Sequence, residues 1–173
     1  MVLISIMGKE KRPERKYLNH HMPSWLKTGN LFESYYITVN CKQRGKDQLT
    51  NEDVWAVIDE SVRKRQSEQT WFCSLLLVMP DHIHGIFRFP EDASMESLIR
   101  DWKRWVSRST GVTFQVGFFD HRLRSVESGI EKREYILRNP IRAGLVNKVE
   151  DWQFKIDFKA EMKQFREMDF RDT

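Results

Sequence analysis

The sequence predicts an α+β fold, a mainly antiparallel sheet with helices packed on one face. Three observations carry that expectation. Short runs rich in aromatic and β-branched residues alternate with longer segments of helical periodicity. Two of the runs, Trp71 to Met79 and His82 to Phe89, are separated only by Pro80-Asp81, which favours an antiparallel return. Thr50 and Ser94 open the first two helical segments, and Gly111 and Pro140 follow the second and third, usual punctuation of helix ends.

Taken in order, residues 1–30, with Pro13, His20-His21, Pro23 and Gly29, read as an irregular lead-in. Tyr35 to Cys41 is a strand by its aromatic and β-branched content. Residues 43–48 form a polar loop. Thr50 is an N-cap with Asp53 three positions on, and Val54, Val57, Ile58 and Val62 carry a helix to about Gln69. Trp71 to Met79 reads as a strand buried on both faces, and His82 to Phe89 returns beside it. Ser94 opens a second helix with Glu96 and Ser97 in its first turn. Leu98, Trp102, Trp105 and Val106 line one side of it, and Gly111 lies just past its end. Phe114 to Phe119 is a candidate fourth strand, and Asp120 to Arg124 a basic loop. Glu127 to Asn139 is a third helix, stopped by Pro140 and Gly144. Residues 147–173 form an arm of the same single domain, with a short helix from Ala160 to Met168.

At 173 residues the chain suits one domain with a sizeable core. It is 40% hydrophobic and 31% charged, ordinary values for a soluble globular protein. No run approaches the ~20 apolar residues of a membrane span, so no membrane partner is expected. Met1 to Met7 is apolar, but the charges of Lys9-Glu10-Lys11-Arg12 follow it, the reverse of a signal peptide. Cys41 and Cys73 form no CxxC and read as reduced packing residues of a cytoplasmic protein. The net charge of +4 is unevenly placed. Residues 100–148 carry eleven Lys/Arg against five Asp/Glu, residues 1–27 six against two, and residues 149–173 five against seven. A basic centre fits a polyanionic partner, although many basic proteins never touch nucleic acid.

The returning strand is preceded by Asp81 and opens His82-Ile83-His84-Gly85. Side chains alternate along a strand, so His82 and His84 share a face, roughly 6.6 Å apart along the backbone, with Ile83 turned away. Two such imidazoles can converge on one cation. They read equally as ordinary strand histidines, one bonded to a carbonyl and the other at the surface. In the third helix Tyr135 and Asn139 lie four apart and share a face. Asn139, before Pro140, offers a hard amide oxygen that would complete a His–His–Asn site with positions left for water or a phosphate oxygen. That set suits Mg²⁺ or Mn²⁺ better than a closed structural zinc site. The Tyr135 hydroxyl would stand beside the ion, and a phenol attacks at neutral pH only when its target is polarised. As plain residues, Tyr135 is a half-buried packing side chain and Asn139 a helix end.

Four pieces then occur in order over residues 35–146. They are Tyr35-Tyr36-Ile37-Thr38-Val39-Asn40, Met79-Pro80-Asp81-His82-Ile83-His84, Phe118-Phe119-Asp120-His121-Arg122-Leu123-Arg124, and Tyr135-Ile136-Leu137-Arg138-Asn139-Pro140-Ile141-Arg142-Ala143-Gly144-Leu145-Val146. This set resembles the HUH-type single-strand transposases with one catalytic tyrosine, and within them the REP-associated tyrosine transposases. A His-hydrophobic-His pattern alone is weak, but the ordered set, with Tyr135 fifty-three residues after His82, is specific. The resemblance implies a ferredoxin-like HUH domain over residues 31–146. It implies a divalent ion, Mg²⁺ or Mn²⁺, on His82, His84 and Asn139, with Tyr135 attacking a DNA phosphodiester. The products would be a 5′-phosphotyrosine link and a free 3′-OH, on single-stranded DNA next to a hairpin. A cytoplasmic, nucleoid-associated protein is implied, and a homodimer is admitted, because the residues do not say whether Tyr135 serves its own site or a second copy's. One departure is Asp81, where an Asn often precedes the first His.

Arg100, Lys103, Arg104, Arg108, Arg122, Arg124 and Arg138 are candidate DNA contacts, positioning phosphates without reading sequence. Each also reads as solvated surface. Trp102 and Trp105 suit a core better than base stacking, Glu127, Glu131 and Glu134 suit a helix surface, and His20, His21 and His121 suggest no partner. Two functions compete: a metal-dependent strand transferase, and a catalytically silent module that binds hairpins or regulates. The intact His82, His84, Asn139 and Tyr135 favour the first. A histidine-triad nucleotide hydrolase fails, because Ile86 occupies the third alternate position.

Overall fold

Five antiparallel strands make one sheet in a computed structural model that describes residues 34–158. The strands are β1 (Ser34–Asn40), β2 (Phe72–Met79), β3 (His82–Arg88), β4 (Phe119–Leu123) and β5 (Lys155–Ile156), in spatial order β4-β1-β3-β2-β5. The helices are α1 (Glu52–Ser67), α2 (Met95–Thr110), α3 (Val126–Leu137) and the short α4 (Asn139–Arg142). The expected lead-in and the helix at 160–168 lie outside the described residues.

The centre of the sheet follows the sequence closely. Pro80 and Asp81 close a two-residue turn, Met79 pairs with His82, and Leu77 pairs with His84. On the other side of β3, Thr38 pairs with His84 and Asn40 with His82. Strand β2 is apolar apart from Ser74, and from Leu75 to Met79 every residue is buried. The loop after β1 hangs from the hairpin turn, with Cys41 N donating to Asp81 O at 2.9 Å and Gln48 N to Pro80 O at 2.8 Å. Cys41 and Cys73 are free and buried.

Helices α1 and α2 pack together on one face, as expected of the fold. Trp102 of α2 donates its indole N–H to Ser61 Oγ of α1 at 2.9 Å and meets Trp71 edge-on. Trp71 in turn meets Phe87, whose side chain points away from the His82 and His84 face of β3. Helix α3 lies on the opposite face, where Tyr135 reaches His84, so the sheet is covered on both sides.

Several elements differ from the sequence expectation, each for a local reason. Asn51 rather than Thr50 caps α1, accepting from Val54 N at 3.0 Å, because Asp47 captures both the Thr50 hydroxyl and its amide. The buried stripe of α2 is Met95, Ile99, Trp102 and Val106, and Trp105 lies outward beneath Arg65. The bond from Trp102 to Ser61 sets that phase. Phe114 to Phe119 is not a strand: Phe114 makes one isolated bridge with Cys41, and the strand runs through Phe119–Leu123 instead. Gly117 turns with φ +75°, and the buried Lys103 ammonium donates to the carbonyls of Gln115 and Gly117, holding that stretch as a loop. The third helix stops at Leu137 and restarts at Asn139, since Pro140 has no N–H to continue the ladder and suits a first turn. The arm adds β5, with Trp152 Nε1 bonded to Val78 O at 3.0 Å and Phe154 and Ile156 buried.

Gly85 lies in β3 beneath the Phe87 ring, and a Cβ built there would overlap Phe87 Cε2. That ring is boxed in by Trp71 at 5.2 Å and Phe89 at 6.0 Å, so it has little room to retreat. Gly85→Ala is expected to cost about 1–3 kcal/mol by overpacking, read as a lower urea midpoint. An unchanged midpoint would show that the ring yields freely.

Candidate active site

Strand period and register bring the two histidines together as their spacing predicts. His82 Nε2 and His84 Nε2 stand 3.1 Å apart, with ring centroids at 4.7 Å, while Ile83 is buried on the other face. His84 is 6% exposed, and its Nδ1 lies 2.9 Å from both Tyr36 Oη and Thr38 Oγ1 on β1. Burial above all, then the charges of His82, Lys132 and Arg44, push its pKa down to about 3. His82 is also shifted downward, chiefly by burial and against the pull of Asp81. Both rings are therefore neutral at neutral pH.

Asp81 orients the first of them. Its Oδ1 is 2.6 Å from His82 Nδ1, and its Oδ2 accepts from Gly45 N at 2.7 Å and pairs with Arg44 Nε at 3.2 Å. Burial opposes ionisation of Asp81, but the Gly45 amide, the His82 hydrogen bond and the Arg44 charge outweigh it and hold the carboxyl below its ordinary range. An ionised carboxylate only accepts, so His82 carries its proton on Nδ1 and turns the Nε2 lone pair toward His84. Two neutral nitrogens at 3.1 Å need something positive between them, either the Nε2 proton of His84 or a cation. Their separation matches the roughly 3.0 Å edge of an octahedron with bonds of about 2.1 Å, so the donor pair fits a small divalent ion.

Tyr135 faces this pair from α3. Its ring centroid is 6.5 Å from that of His84, and it is 40% exposed, at the rim of the site, because neighbouring Ile136 takes the buried position. Asn139 begins α4, and its Nδ2 donates to the carbonyls of Tyr135 (3.1 Å) and Ile136 (3.3 Å), which leaves Oδ1 as the end turned from the helix. No hydrogen bond joins it to either imidazole among the described residues.

No family model matches the chain. A curated REP-associated tyrosine transposase of Escherichia coli (strain K12) is 27% identical over 124 residues, covering 70% of this chain and 74% of that protein. A Haemophilus influenzae protein provisionally named as the same kind of transposase is 26% identical, covering 74% of this chain and 83% of its own. A solved REP-associated tyrosine transposase bound to a REP hairpin superposes with a TM-score of 0.63 at 25% identity, over 70% of this chain and 74% of that one. The chain is similar to the REP-associated tyrosine transposases.

The candidate DNA contacts are scattered by the fold. Arg100 and Arg104 are exposed on α2 and share Asp101, each at 3.5 Å, and Arg108 is exposed in the last turn of the same helix. That helix lies on the face opposite the imidazoles. Lys103, expected among the solvated cations, is instead 9% exposed, with its ammonium bonded to loop carbonyls. Arg122 pairs in register with Tyr35, so it too points from the face opposite His84. Arg124 and Arg138 are exposed. Two cations the sequence reading passed over are at the site. Lys132 Nζ lies 5.0 Å from the centroid of the Tyr135 ring and 4.7 Å from that of Tyr36, and Arg142 Cζ lies 4.8 Å from that of Tyr135. Phe119, 46% exposed, meets Tyr36 edge-on from β4. Lys132 was recoverable from its spacing three before Tyr135. Arg142, seven after Tyr135, was recoverable in the same way, as two helical turns return to one face.

In Asp81→Ala the His82 ring loses the acceptor that selects its tautomer. Nitrogen NMR of the metal-free protein is expected to show His82 passing from one Nδ1–H form to a mixture. A single unchanged tautomer would show that Asp81 does not set it.

Proposed function

We propose that the chain cleaves and rejoins single-stranded DNA beside a hairpin through a covalent tyrosine intermediate. The observation that carries this reading is the Tyr135 ring against His84, whose Nε2 meets that of His82, in a chain similar to proteins named tyrosine transposases. Tyr135 Oη forms the bond to phosphorus as the bond to the 3′ oxygen breaks. The phenolic proton passes to water, and the 3′ oxygen takes one up to leave as a free 3′-OH. The 5′ phosphate stays on Tyr135 and is returned to a 3′-OH in the reverse step. A divalent ion, Mg²⁺ or Mn²⁺, held by His82, His84 and Asn139, would supply positive charge to the phosphate oxygens. Asp81, Tyr36 and Thr38 keep the imidazoles oriented for that task. The hairpin of the solved relative suggests the partner: a folded strand beside the scissile bond. Residues 34–158 contain no helix long and apolar enough to cross a membrane.

The test is to mix the protein with an end-labelled single-stranded hairpin and Mn²⁺. A Tyr135-dependent covalent adduct is expected, whereas a mobility shift with no adduct from wild type would identify a silent binding module. Tyr135→Phe is expected to abolish the adduct and leave hairpin affinity nearly unchanged, and equal loss of both would contradict the nucleophile assignment. Asp81→Ala is expected to weaken Mn²⁺ binding by roughly 10–100-fold in titration calorimetry. His82→Ala should end cleavage even in excess Mn²⁺. Full cleavage by that variant in the presence of chelator would remove the ion from the reaction.

A further inference from the structure

We propose that Lys132 and Arg142 form a two-cation clamp that grips the scissile phosphate on the ring of Tyr135, an inference that rests on the strand-cleavage reading. Lys132 is three residues before Tyr135 on α3, so its ammonium falls on the same helix face, between the rings of Tyr36 and Tyr135. Arg142 ends α4 and brings its guanidinium back over Tyr135 from the other side of the helix break. Each cation–ring contact is attractive, but the two cations share one ring and repel each other. Among the described residues neither has a carboxylate partner. Arg44, Arg63, Arg100, Arg104 and Arg133 pair with Asp side chains, whereas Lys132 and Arg142 lie against aromatic rings. Two uncompensated cations around one half-exposed phenol make a local excess of positive charge that an anion would relieve. The anion this reaction brings there is a phosphodiester. In attack, Oη bonds to phosphorus and the 3′ oxygen departs, while the ammonium and guanidinium hold the non-bridging oxygens on which negative charge accumulates.

The experiment measures the rate and extent of adduct formation separately from hairpin affinity, for wild type, Lys132→Met, Lys132→Arg and Arg142→Met. Each protein is first checked for an unchanged melting temperature. Either Met variant is expected to slow adduct formation roughly 10²-fold or more, with a much smaller change in affinity, and Lys132→Arg to recover most of the rate. A substrate carrying an uncharged methylphosphonate at the scissile position supplies the second reading. With that charge removed, the gap between wild type and the Met variants should shrink to a few-fold. Undiminished rates in the Met variants, or a gap that persists on the methylphosphonate, overturn the clamp while leaving the cleavage reading in place. Absence of any adduct from wild type overturns both.

Discussion

The two-residue turn between β2 and β3 is the constraint from which the site follows. It pairs β3 with β2 on one edge while β1 pairs on the other, so His82 and His84 begin their strand inside the sheet rather than at its margin. Burial there keeps both imidazoles neutral, which a pair of cation ligands requires. The same turn presents the Pro80 and Asp81 carbonyls to the loop after β1, drawing Arg44 and Gly45 onto the Asp81 carboxylate. One short connection thus sets the position, the protonation and the tautomer of the first histidine.

What was legible in the sequence is what depends on neighbours in the chain. Alternation put His82 and His84 on one face, and Ser94 and Gly111 bounded α2 where expected. What was missed depends on contacts between distant segments. Residues 114–118 are as β-prone as 119–123, and the choice between them is made by a lysine on α2 that binds two of their carbonyls. The burial phase of α2 is set by a serine on α1, and a tryptophan on either side of the stripe would have satisfied the pattern. The arm reads as acidic and unremarkable, yet Trp152 finds a free carbonyl on β2 and the chain gains a fifth strand.

The same limit shaped the reading of charge. Counting Lys and Arg along residues 100–148 locates basic character in the chain but not in space. Arg100 and Arg104 share one carboxylate, Lys103 is folded inward, and Arg122 points from the wrong face for the imidazoles. Local charge around Tyr135 comes from two residues that no composition window distinguishes, Lys132 three before the tyrosine and Arg142 seven after it.

The aspartate before the first histidine raises the question of whether its charge disturbs a site built for an anionic substrate. The hydrogen bonds argue that it does not. Its two oxygens are taken by the Gly45 amide, the Arg44 guanidinium and the His82 N–H, so the carboxylate faces the loop and the back of the ring rather than the Nε2 side. Arg44 offsets the charge locally and also donates to Asn40 Oδ1 and the Asp81 carbonyl, tying β1 to the turn. An asparagine could accept from His82 in the same way, but it would lose the ion pair that draws the loop inward. The negative charge therefore lies behind the imidazoles and the unpaired positive charge in front, around Tyr135. That separation gives the site a direction, with ligand orientation supplied from one side and room for an anion on the other.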